Sequence, residues 1–104
     1  MPIMEIRDVI LQADPDAQHY EAALDGRDFT VWMEYERIGL RADDEYAEAG
    51  GRFEVDRYTK QEFDTVAELL EEVLDAADGV TWTHRVQYNQ QTGYIRHIYD
   101  CEAV

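Results

Sequence analysis

Carboxylates are the residues with the widest scope for chemistry in this chain. Five of them, Glu68, Glu71, Glu72, Asp75 and Asp78, follow one another at helical spacing, and Asp43, Asp44, Glu45 and Glu48 crowd a second segment. Such groups can hold a hard cation, move protons or present negative charge to a cationic partner. The cation use is poorly signalled. Asp43-Asp44-Glu45 offers oxygen ligands but lacks the D-x-[DN]-x-[DN]-G order of a calcium loop, so a solvated acidic loop is the expectation, with no metal and no cofactor.

The other reactive types are few. Serine is absent, which removes the Ser-His-Asp arrangement. The one thiol, Cys101, reads as an incidental cysteine in the tail Asp100-Cys101-Glu102, where neighbouring carboxylates raise its pKa. His97 and Cys101 are four apart, a spacing that suits two ligands on a helix, but the pattern around them is a strand and then a tail. His84 falls on the inner face of its strand and reads as a core or rim histidine; His19 carries no signal. Gly50-Gly51 lacks the further glycines and the lysine of a phosphate-binding loop. No residue is assigned a catalytic role, and no enzymatic activity is expected.

The elements that carry these residues read as follows. Ile3, Ile6, Val9 and Ile10 predict a short N-terminal helix ended by Asp14-Pro15. Residues 15–24 fit either a helix begun at Pro15 or a strand; the alternation Tyr20, Ala22, Leu24, the turn Asp25–Asp28 and the alternation Phe29, Val31, Met33, Tyr35 favour a β-hairpin. The acidic loop spans 39–51, closed by Gly50-Gly51, and a third strand covers Arg52–Tyr58 with Phe53 and Val55 on one face. The helix over 65–78 is the clearest element. Val66, Leu69, Leu70, Val73, Leu74 and Ala77 share its apolar face, Thr65 and Glu68 form a capping box, and Gly79 is placed for a left-handed end. Val80, Trp82, His84, Val86 and Tyr88 start a second hairpin, turning at Asn89–Gly93 and returning through Tyr94–Asp100. The expected fold is a single α+β domain over residues 1–104: an antiparallel sheet of about five strands, two hairpins plus one strand, packed against one long amphipathic helix and a short N-terminal one.

Charge then narrows the function. Apolar residues make up 45% of the chain, enough for a globular core, but 24 Asp and Glu face nine Lys and Arg for a formal charge of −15. Direct nucleic-acid or membrane binding is disfavoured, because both surfaces are held through Lys and Arg. With no signal peptide, no spanning stretch and one cysteine, a soluble cytoplasmic protein is expected. The acids of helix 65–78 are placed against stability. Glu68–Glu72 and Glu71–Asp75 are like-charge i,i+4 pairs, and Asp75 and Asp78 oppose the dipole at the helix C-terminus by about 0.3–1 kcal/mol each. The expected partner is therefore a basic, nucleic-acid-binding protein, met through Glu68, Glu71, Glu72, Asp75 and Asp78, with Asp43, Asp44, Glu45 and Glu48 as a second cluster.

In size and charge, though in no motif, the chain resembles the small acidic inhibitors, anti-CRISPR-like DNA mimics among them, that mobile elements direct at nucleic-acid-binding defence proteins. It also resembles the acidic immunity proteins that neutralise basic toxins. Adaptation to salt is a competing source of the acidic excess, consistent with the single Lys60 beside eight Arg. A third reading is a ligand-binding or enzymatic domain with a pocket lined by Trp32, Trp82 and Tyr88. A deep pocket with convergent polar groups favours that reading; one continuous negative face favours the other two. Hairpin sheets also leave edges, through which a homodimer can form.

Overall fold

The computed structural model describes residues 3–22, 25–42 and 45–104, and over 38–42 and 45–49 it describes the backbone alone. The chain is α+β, in the order α1 (Ile3–Ala13), β1 (Gln18–His19), β2 (Phe29–Ala42), β3 (Glu45–Thr59), α2 (Thr65–Ala76), β4 (Val80–Tyr88) and β5 (Ile95–Ala103). The five strands form one sheet in the order β1-β2-β3-β5-β4. It is mixed and not wholly antiparallel, because β1 runs parallel to β2.

Both helices cover one face of the sheet. Ile6, Ile10 and Ala13 of α1 and Leu70 and Leu74 of α2 pack on Trp32, Phe53, Val55, Tyr99, Cys101 and Ala103. Here α2 departs from expectation. It has 12 residues and is not long. Of the apolar stripe, Leu70 and Leu74 are fully buried, Val73 is half-buried and Leu69 is exposed. Its cap is Asp64, one residue before the predicted Thr65; the Asp64 side chain accepts from Ala67 N. Gly79 has φ +78°, the left-handed geometry expected after the helix, and a side chain there would press on Val104.

Three further findings concern the sheet. The strand expected at Tyr20–Leu24 is instead the two-residue β1, and Ala23 and Leu24 lie outside the described residues. The alternating Phe29, Val31, Met33 and Tyr35 do lie in β2, but on the face away from the helices; Thr30 and Trp32 point inward. The acidic loop is not a loop in its described parts. β2 and β3 pair from Phe29↔Tyr58 out to Ala42↔Glu45, with irregularities at Glu34/Glu36 and Ile38/Gly39. Gly50 and Gly51 do not close a loop but sit inside β3, where a Cβ would lie 2.3 Å from Ala103 O and 2.1 Å from Glu36 O respectively. Neighbouring backbone on both sides demands glycine.

A buried ion cluster joins the layers. Arg57, on the inner face of β3, reaches Asp64 at 2.8 Å, Asp14 at 3.5 Å and Thr30 Oγ1 at 3.4 Å. One guanidinium thus satisfies carboxylates at the end of α1 and the start of α2, which the apolar core could not otherwise hold ionised.

Candidate functional site: an acidic helix face and an aromatic groove

The predicted acids of α2 reach solvent unequally. Glu68, Glu72 and Asp75 are exposed and Glu71 is half-buried; Asp78 is also exposed, but it lies beyond the helix end. Among the described residues, no ion pair reaches any of the five. Arginine is paired elsewhere: Arg7 with Asp8, Arg27 with Asp25, Arg57 with Asp14 and Asp64, Arg85 with Asp100, Arg96 with Asp56 and Glu54. Asp75 is the exception to a purely solvated face, since it accepts a 2.8 Å bond from Trp82 Nε1. Asp43 and Asp44 lie outside the described residues, and Glu45 and Glu48 are placed by backbone only, opposite Ala42 and Gly39.

Cys101 is not in a tail. It lies in β5, buried in the core, and burial followed by the charges of Asp100 and Glu54 pushes its thiol up to about 12. His97 and Cys101 therefore lie four residues apart along one strand, about 13 Å, and not on adjacent turns of a helix. His84 shares a face of β4 with Trp82, but it is exposed and not part of the core. Its Nε2 meets His97 Nδ1 at 2.9 Å, and its ring stacks on Tyr99 at 4.7 Å. Burial, then the neighbouring His84, lowers the pKa of His97. His19 stacks on Trp32 and reaches Glu34 at 2.6 Å. Among the described residues, no group of three His, Cys, Asp or Glu is gathered to hold a metal ion.

On the helix-free face, Glu54, Asp56 and Arg96 form a partly buried set. Arg96 reaches Asp56 at 2.7 Å and Glu54 at 3.5 Å. Burial, then a hydrogen bond to Asp56 and the charges of Asp56 and Asp100, push the Glu54 carboxyl up to about 7 against the pull of Arg96. Asp56 Oδ1 is buried and receives no hydrogen bond among the described residues.

Beside this set lies an open groove of about 1240 Å³. Phe29 stacks on Tyr58 at 4.5 Å and Tyr94 meets both edge-on. Lys60 sits 4.8 Å over the Tyr94 ring and Arg96 5.6 Å over Tyr58. Among the described residues, no Asp or Glu lines this groove, in a chain with 24 of them. Of the aromatics proposed for a pocket, only Tyr88 lines it; Trp32 is in the core and Trp82 lies against Asp75. The groove draws on residues far apart in sequence, so periodicity could not reveal it. One signal was available: residues 79–99 contain no carboxylate at all, whereas the next longest such run is 37–42.

No helix among the described residues is long and apolar enough to cross a membrane. Neither a protein-family model nor a curated protein sequence matches the chain.

Proposed function

We propose that the protein binds a basic protein through the outer face of α2 and thereby blocks a surface that would otherwise hold nucleic acid; an inhibitor of a defence complex is its most concrete form. The observation that carries this reading is the absence of any paired cation, among the described residues, along Glu68, Glu71 and Glu72, while five arginines elsewhere are matched to acids. The spacing suits mimicry. With a rise of about 1.5 Å per residue, four carboxylates from Glu68 to Asp75 span about 10.5 Å, or about 3.5 Å per interval; a DNA strand carries one charge per about 3.4 Å. The field of such a face steers a cationic partner and fades with salt.

The test uses the full chain as bait in host lysate, beside a Glu68→Lys/Glu72→Lys bait of verified fold. Duplex DNA is added as competitor, and the salt is raised from 0.15 to 0.5 M. Proteins held by the wild type, released by DNA and by salt, and missed by the variant support the reading. Identical capture by both baits sinks it.

A second reading rests on the carboxylate-free lining of the groove: a small anionic ligand with a planar ring, stacked on the aromatic cluster with its charge toward Lys60. Titrating nucleoside monophosphates against wild type and Lys60→Glu, followed by tyrosine fluorescence, tests it. Flat titrations for both proteins would remove it.

A further inference from the structure

The carboxylate-free segment 79–99 folds as β4, its loop and β5. The sheet ends in β4, whose one strand neighbour among the described residues is β5, so a nine-residue edge from Val80 to Tyr88 stands open. Exposed edges are normally blunted by shortness, lysine, proline, a bulge or a cover. The opposite edge is blunted: β1 has two residues and covers only Val31 and Trp32, and β2 beyond it is broken by irregularities at Glu34/Glu36 and Ile38/Gly39. β4 uses none of these devices. It holds no proline, lysine or carboxylate, and its register with β5 is unbroken from Val80↔Ala103 to Tyr88↔Ile95. Its Arg85 is tied to Asp100. The bond from Trp82 to Asp75 holds α2 over the first half of the strand, while Val86 and Tyr88, on that same face, are 55% and 63% exposed.

We propose that β4 is a self-association edge, where two copies of the chain pair antiparallel and make one continuous sheet. Full pairing of the nine residues is symmetric about His84. That register sets Val80 opposite Tyr88 of the second copy and Trp82 opposite Val86, so the two exposed apolar side chains gain cross-strand partners. On the other face, Thr81 meets Gln87 and Thr83 meets Arg85. No acid faces an acid along the contact, which matters for two bodies of formal charge −15. Main-chain hydrogen bonds supply the affinity and the alternate side chains fix the register.

The experiment is sedimentation equilibrium of the full chain from about 10 to 500 µM, at 0.05, 0.15 and 1 M NaCl. Dimers are expected, and their dissociation constant should fall as salt screens the repulsion between copies. This dependence is opposite in sign to that of basic-partner binding by α2, so failure of one leaves the other standing. Val86→Lys, at an exposed position, should keep the circular dichroism of the wild type and weaken the dimer at least tenfold; Tyr88→Lys serves if Val86→Lys misfolds. A wild type that is monomeric at every concentration and salt overturns the proposal. So does a dimer that neither folded variant weakens.

Discussion

The indole Nε1 of Trp82 donates a 2.8 Å hydrogen bond to Asp75 Oδ1, and this bond ties the outer face of α2 to the edge strand β4. Asp75 therefore has a structural task that Glu68 and Glu72 lack. Asp75→Ala should cost about 0.5–1.5 kcal/mol, the net value of such a bond, while Asp75→Asn keeps an acceptor and most of that stability. Glu68→Lys/Glu72→Lys should leave the midpoint of urea unfolding nearly unchanged, since the new lysines still repel each other at i,i+4 but gain opposite-charge i,i+3 neighbours in Glu71 and Asp75. Equal loss in the Asn and Ala variants would show that the bond contributes nothing.

The faces of α2 can be tested by paired truncations. Leu70 is fully buried, so Leu70→Ala should cost about 2–5 kcal/mol. Its neighbour Leu69 is exposed, and Leu69→Ala should stay within about 0.5 kcal/mol of wild type. Thermal or urea unfolding of the two variants checks the contrast, and comparable losses would mean a rotated helix.

Stability should carry the signature of Glu54. Its carboxyl is raised from 4.5 to about 7 in the folded chain, mainly by burial. The folded state thus keeps a proton that the unfolded chain releases. This contribution is fully present below about pH 4.5 and is lost as pH rises through about 7. Glu54→Gln keeps a donor at every pH, so the stability difference between variant and wild type should grow in the variant's favour from pH 5 to pH 8. Urea midpoints across that range decide it; parallel curves would place Glu54 in an ordinary environment.

Charge through habitat and charge through function separate by salt. A binding protein with this buried core should show full circular dichroism at 0.1 M salt. A chain that is unfolded there and folds near 2 M salt would make adaptation to salt the source of the acidic excess, because screening would then be needed to relieve self-repulsion.

Much of the scaffold was legible because its periods are single-valued. The α2 stripe has one dry side, and the β4–β5 hairpin has a turn that the Asn89 side chain closes by accepting from the amides of Gln91 and Thr92. The facing of β2 was not legible, because its more apolar side, Phe29 to Tyr35, is the one turned away from the helices, while Thr30 and Trp32 point inward. Residues 45–51 pair as strand through backbone register and two tight glycines, without an apolar alternation to advertise it. Cys101 looked terminal, but β5 runs to Ala103 between two neighbours. Of the candidate site, the α2 acids were readable; the Asp75–Trp82 bond, the groove and the open edge depend on strand order, which no local pattern encodes.

The position of Arg57 bears on how this protein comes apart. Its one side chain meets Asp14, where α1 ends, and Asp64, where α2 begins, while its backbone belongs to the middle strand of the sheet. Peeling away either helix takes one of the two carboxylates from this buried guanidinium. Local opening of one helix therefore weakens the anchorage of the other. The amides of the two helices should exchange with solvent as one cooperative unit, and replacing Arg57 with methionine should split that unit in two.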